Sequence, residues 1–212
     1  LTDVGVPVGF WRSVGHSQNG FFFEAFLDEV AKALGKGPLE LRKELLEKAP
    51  RHKAVLEMAA AKFGWGKKLP AGHFAGIAVR ESFGTYVAEA AEVSVENGAP
   101  KVHRVVAAVD CGRVVNPSTV EAQIASGIIY GMSAAFYGEI TLEKGRVKQR
   151  NFNDYPMVRL AEAPKIEVHI VPSTEPASGC GEPGLPPFAP AVANALLAAG
   201  KTVRKLPIKL SS

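Results

Sequence analysis

Ser178-Gly179-Cys180-Gly181-Glu182-Pro183-Gly184-Leu185-Pro186-Pro187 holds one carboxylate in a turn bounded by glycine and proline, directly ahead of an apolar segment. Glycines at 179, 181 and 184 allow backbone to approach a ligand or another chain closely. Pro183, Pro186 and Pro187 fix φ and remove amide donors, so Glu182 is expected on a stiff loop. Residues 188–199 are rich in alanine and leucine and end at Gly200, which predicts a buried helix with a glycine stop. Two readings of Glu182 stand at this level: a charge at a helix start, or a catalytic carboxylate presented by a rigid loop.

Outward from this loop, the order of elements predicts an α+β fold. Helical spacing covers Phe21 to Leu34, where Phe22, Phe23, Phe26, Leu27, Val30, Ala31 and Leu34 form a stripe expected to face the core. Shorter helices are predicted over 38–49 and 52–63. Strands follow at 76–82, 86–95 and 102–109, the last two joined by an Asn97-Gly98 turn. A helix over 120–136 begins after Asn116-Pro117-Ser118 and carries Gln123, Gly127 and Gly131 on one face, where a cofactor or another backbone can lie close. A hairpin is predicted from 137–142 and 146–150, a strand at 166–171, and a last strand at 203–208.

The chain has 212 residues, of which 47% are hydrophobic, enough for a substantial core. Its net charge of +4 is mild. The basic runs at 144–150 and 201–205 lack interleaved aromatics, so they read as solvated faces rather than a nucleic-acid surface. No apolar run is long enough for a membrane span. Neither Cys111 nor Cys180 is spaced for a thiolate metal site or a cluster, and the two are expected to remain unpaired. Two cysteines fit cytoplasm or periplasm equally.

Several segments together resemble one family. Gly179-Cys180-Gly181-Glu182 is similar to the Gly-x-Gly-Glu signature of the molybdenum hydroxylases, the xanthine dehydrogenase and aldehyde oxidoreductase family. Val109 to Pro117 and Glu121 to Gly131 resemble that family's approach to a glutamine-bearing helix near the cofactor. Phe10-Trp11-Arg12-Ser13-Val14-Gly15 resembles its Arg-x-x-Gly element, and Asn151 to Pro156 and Ile166 to Ile170 also match. Within the family, the wording is similar to the isoquinoline 1-oxidoreductase beta subunits. Ala125-Ser126-Gly127 departs from the pattern, standing where a charged residue and two glycines are expected.

The resemblance implies a molybdenum-cofactor-binding domain of the aldehyde oxidoreductase type, with mixed helices and antiparallel-rich sheets. It implies hydroxylation of an N-heteroaromatic or aldehyde carbon, with water as the oxygen source and Glu182 as base. Molybdopterin cytosine dinucleotide with molybdenum is the implied cofactor, contacted by Gln123, Arg12, Ser13, Gly15, Gly127, Gly179, Cys180 and Gly181. No side chain of this chain is expected to ligate the metal. The implied partners are a small [2Fe-2S] subunit and an N-terminal remainder of the large subunit, since no counterpart of the family's earlier Gly-Gln loop is present. Residues 1–212 are then expected to be the C-terminal part of the domain, mainly helical over 1–70 and mixed over 71–212. For Gln123, Arg12 and Asp110 the residues alone also allow a packing amide, a surface charge and a turn cap around Gly112. Outside this family, the chain reads as a domain serving subunit assembly or partner binding.

Overall fold

A computed structural model describes residue 5 and residues 7–210. Three helices come first: α1 (Val14–Ala33), α2 (Pro38–Leu45) and α3 (Pro50–Phe63). The strands β1 (His73–Ser82), β2 (Thr85–Glu96) and β3 (Ala99–Asp110) then form an antiparallel meander. After α4 (Pro117–Phe136) and a small exposed hairpin of β4 (Leu142–Glu143) and β5 (Arg146–Val147), β6 (Lys165–Ile170) joins β3 in parallel. The sheet order is β1-β2-β3-β6, and α5 (Phe188–Ala198) is the last helix. This is the α+β, antiparallel-rich arrangement expected from the sequence.

Both tight turns of the meander use two residues with positive φ, the geometry that matches strand twist. Asn97-Gly98 supplies one, and Phe83-Gly84 supplies the other, with φ of 55° at a phenylalanine. Alternation along the strands then sends side chains to opposite faces. Ile77, Val79, Ala88, Ala90, Val106 and Ala108 pack against Val55, Leu56, Ala59 and Phe63 of α3. Ala78, Val87, Ala91, Ala107 and Val109 pack on the other side with Ile124, Ile128, Phe188, Ala191 and Val192 of α4 and α5. The sheet is thus the middle of three layers, and Gly76 admits α5 so closely that a Cβ there would lie 2.1 Å from the Ala191 carbonyl oxygen.

Three expectations need correction. The aromatic stripe of α1 faces outward: Phe22, Phe23 and Phe26 are exposed, while Phe21, Glu24, Ala25, Asp28 and Ala31 are buried. The other face wins because Arg42 of α2 reaches both acids, at 2.8 Å to Glu24 and 2.5 Å to Asp28, and so makes their burial tolerable. Glu24 also accepts the Val79 N–H, tying α1 to β1. Burial still pushes the Asp28 carboxyl up to about 6, outweighing the guanidinium beside it.

The last predicted strand, 203–208, is irregular: Pro207 has no amide to give a ladder. Its apolar residues Val203 and Ile208 enter the core instead, and the Ile208 N–H donates to the Ala135 carbonyl at the end of α4. The predicted hairpin over 137–150 contracts to four exposed residues, because neither face has a core to rest on.

Candidate functional site

The Glu182 loop crosses α4 and abuts the start of α1, and its position rests on backbone packing. A Cβ on Gly127 would lie 2.8 Å from the Gly184 carbonyl carbon, and one on Gly184 would lie 2.7 Å from the Ile124 carbonyl oxygen. Gly131 meets the Leu185 carbonyl and Phe188 in the same way. The glycine face of α4 is therefore filled by the loop, which places Gly127 inside the helix–loop contact. Gln123, one turn earlier, remains exposed with its Oε1 beside Gly181.

Upstream, the loop is tied to the sheet. The Ser178 N–H donates to the Cys111 carbonyl at 2.9 Å, and the Thr85 hydroxyl donates to the Gly179 carbonyl at 2.8 Å. Gly112, at φ 73°, sits so close under Pro176 that no other residue fits there. Asp110 accepts the Gly112 N–H at 3.0 Å, the turn-capping role open to it from sequence. It also pairs with Arg51 of α3, which holds its carboxyl below the ordinary range.

The segment before α1 supplies the third wall. Ser13 and Val14 adopt left-handed φ values of 69° and 47°, an uncommon conformation for non-glycine residues and more so for a β-branched one. This turn aims the Ser13 N–H at Glu182 Oε1, 2.9 Å away, while the Ser13 hydroxyl donates to the Glu182 carbonyl at 2.7 Å. Arg12 donates through Nε to the Gly181 carbonyl at 2.8 Å and through Nη1 to Ser126 Oγ at 3.1 Å, and its guanidinium lies over the Tyr130 ring. Gly15, in the first turn of α1, is partly buried.

The structure thus gathers Arg12, Ser13, Gln123, Gly127, Cys180, Gly181 and Glu182 into one place, with Gly179 on its exposed margin. Ser13 spends its donors on the loop itself, and Arg12 divides its donors between the loop and Ser126 of α4. Glu182 is partly exposed, and its Oε2 has no partner among the described residues. The sequence reading missed the anchoring of Glu182 by Ser13. No local signal marked it, because α1 begins at Val14, ahead of the helix expected from Phe21.

A family profile described as "Molybdopterin cofactor-binding domain" matches residues 29–164. The chain belongs to the molybdopterin cofactor-binding domain family. It is 33% identical to the isoquinoline 1-oxidoreductase beta chain of Brevundimonas diminuta over 210 residues, covering 96% of this chain and 27% of that protein. It is 32% identical to a nicotinate dehydrogenase subunit of Pseudomonas putida, covering 96% of this chain and 19% of the relative. The chain therefore spans well under a third of the length of each of these relatives. Among solved structures, the aldehyde oxidoreductase of Desulfovibrio gigas superimposes over 93% of this chain and 40% of its own, with a TM-score of 0.69 at 15% identity, a likeness of fold. That of Desulfovibrio desulfuricans is 29% identical over 58% of this chain and 14% of its own, with a TM-score of 0.52.

The geometry of the molybdopterin-binding chain fits such a group. The bare backbone of Gly179 and Gly181 and the amide of Gln123 form an exposed polar edge beside Glu182. Among the described residues, no side chain stands within 4 Å of where a Cβ would sit on Gly179. Among the described residues, no helix is long and apolar enough to cross a membrane.

Proposed function

We propose that this chain is part of a molybdenum-dependent oxidoreductase subunit that hydroxylates an aldehyde carbon or a carbon beside a ring nitrogen. Water supplies the oxygen, and Glu182 is the base. The observation that carries the reading is a carboxylate whose Oε1 is fixed by the Ser13 N–H and whose Oε2 has no partner among the described residues. Oε2 is available to take a proton from the attacking water, and the stiff loop keeps it aimed. When bound, the pterin-held molybdenum supplies the two-electron acceptor for the reaction.

In this reading Gln123 and the peptide groups of Gly179 and Gly181 hold the pterin or its cytosine dinucleotide extension, using amide donors and acceptors on the exposed edge. Arg12 and Ser13 act one step back, by fixing the loop. Cys180 keeps the turn narrow, and Gly127 lets the loop seat on α4, whereas a Cβ on Gly15 would meet only Gln18 and Asn19 of its own helix at ordinary contact distance. Electrons leave through a small [2Fe-2S] partner subunit. Metal analysis and acid-released cytidine nucleotide, measured on the complete subunit carrying this chain, test the cofactor assignment. About one equivalent of each is expected; absence of both contradicts it.

Partner binding and subunit assembly are favoured by a separate observation. Phe22, Phe23 and Phe26 lie exposed along α1, beside an apolar cleft of about 370 Å³ lined by Trp11, Phe21, Phe22, Leu185, Pro186 and Leu206. Such a surface on a domain that spans a fraction of its relatives suits docking against the rest of the large subunit. Concentration-dependent self-association of the isolated chain, relieved by a Phe22→Ser, Phe26→Ser double variant, is the expected result; a monomer at all concentrations opposes it.

A further inference from the structure

The Phe83-Gly84 turn brings β2 back beside β1 and leaves Thr85 opposite Ser82, at the end of the sheet that meets the Glu182 loop. Thr85 is fully buried, and its hydroxyl oxygen lies 2.8 Å from the Gly179 carbonyl and 2.7 Å from Ser178 Oγ. Ser178 Oγ in turn lies 3.0 Å from the Gly84 carbonyl, and a Cβ on Gly84 would already touch the Ser178 side chain at 3.4 Å. Ser82 is equally buried, yet among the described residues its hydroxyl has no hydrogen-bond partner. Of the two hydroxyls at this hairpin end, only that of Thr85 is spent on the loop.

Three oxygen–oxygen contacts share only two hydroxyl hydrogens. When Ser178 donates to Thr85, Thr85 donates to Gly179 and the loop carbonyl is held. When Thr85 donates to Ser178, Ser178 donates to Gly84, and the Gly179 carbonyl has no other donor among the described residues. Donation to both carbonyls at once leaves two oxygens 2.7 Å apart with no hydrogen between them, which their lone pairs disfavour. The hold on the loop therefore depends on both hydroxyls. We infer that Thr85 and Ser178 are positioning residues, whose paired hydroxyls fix the Gly179–Cys180 peptide and so set where the loop presents its amide donors beside Glu182.

A trans peptide points its N–H away from its carbonyl. With the Gly179 carbonyl turned in to Thr85, the Cys180 N–H is turned away from the hairpin. With the Gly181 carbonyl held by Arg12 at 2.8 Å, the Glu182 N–H is likewise turned away from Arg12. Neither N–H has an acceptor among the described residues. The loop's carbonyls are thus spent inside the protein while its amides stay open, an arrangement that suits an electron-rich ligand. The nature of that ligand rests on the cofactor reading given above, whereas the clasp itself rests on the hydroxyl geometry alone.

The test is hydrogen exchange, read by mass spectrometry on the complete subunit, in Thr85→Val, which keeps the β-branched shape and removes the hydroxyl. The bonded amides of the loop are those of Ser178, held by the Cys111 carbonyl, and Leu185, held by the Glu182 carbonyl. Peptides covering them are expected to exchange about five- to tenfold faster, with β1 and β2 unchanged. Thr85→Ser is expected to restore the wild-type rate, and Ser82→Ala, which removes a hydroxyl bonded to nothing, to leave it unaltered. In the molybdenum-loaded enzyme Thr85→Val is expected to lower kcat about tenfold at unchanged KM and metal content, regained in Thr85→Ser. An unchanged loop in Thr85→Val overturns the inference. So does acceleration that extends over β1 and β2, that Ser82→Ala reproduces, or that Thr85→Ser fails to reverse, and so does wild-type kcat alongside a loosened loop. If Thr85→Val does not fold, Ser178→Ala replaces it and must speed the loop alone, or the inference falls. Exchange is read without turnover, so its failure leaves the role of Glu182 standing, and loss of that role in Glu182→Gln leaves the clasp intact.

Discussion

The Ser13 N–H donates to Glu182 Oε1 at 2.9 Å from a backbone held at φ 69°. A left-handed non-glycine residue followed by a left-handed valine costs on the order of 1–3 kcal/mol per position. That cost is sustained by Arg12 on one side and by the Ser13 hydroxyl bond to the Glu182 carbonyl on the other.

Replacing Ser13 separates these contributions. Ser13→Ala keeps the N–H and loses only the hydroxyl bond, so stability is expected to fall by about 1 kcal/mol. Ser13→Pro removes the N–H and forces φ to negative values, so the carboxylate loses its anchor. Thermal unfolding together with kcat/KM of the complete enzyme checks the order: Ala mild, Pro severe.

Arg42 is expected to be the most sensitive charged residue away from the site. Arg42→Leu leaves Glu24 and Asp28 buried without their cation, a loss of about 3–5 kcal/mol. Asp28 has its folded value raised, from 3.8 to about 6, so its contribution is whole below pH 3.8 and is lost as pH rises through 6. Without Arg42 this loss extends to higher pH. Urea unfolding at acid and neutral pH should therefore show the variant's deficit growing with pH.

Glu89 lies wholly buried in β2, and among the described residues neither carboxylate oxygen has a hydrogen-bond partner. Burial pushes its carboxyl well above the ordinary 4.5. Stability from this group is therefore complete below 4.5 and declines as pH rises toward the folded value. Glu89→Gln removes that decline: equal stability at acid pH, and a gain on the order of 1–3 kcal/mol at alkaline pH, read by denaturant unfolding at both.

Gly127→Ala tests the seating of the loop. The added methyl meets the Gly184 backbone at 2.8 Å, with no flexible side chain to yield. A destabilisation of about 1–3 kcal/mol is expected. Faster hydrogen exchange at Leu185 and Phe188 would show that the loop itself has lifted.

Most elements were legible in the sequence because periodicity and turn chemistry agreed: Asn97-Gly98 marks its hairpin, and the 188–199 run marks α5. The aromatic face of α1 misled because hydrophobicity alone ignores the partner. Glu24 and Asp28 are four residues apart, and only the folded position of Arg42 makes that face the inner one. Phe83-Gly84 escaped because phenylalanine is a poor sign of a left-handed turn. At the site, the Gly-x-Gly-Glu wording pointed to Glu182 and the Glu121 to Gly131 match to Gln123, but the Ser13 anchor depends on a contact across 169 positions, which no local pattern encodes.

Glu182→Gln, made in the complete molybdenum-loaded enzyme and assayed with aldehydes and N-heteroaromatics, tests the central claim most directly. The amide preserves size and still accepts the Ser13 N–H, but it cannot take a proton. Turnover is expected to fall by at least about 100-fold with molybdenum content unchanged. Turnover within a few-fold of wild type, at normal metal content, would contradict the assignment of Glu182 as the base.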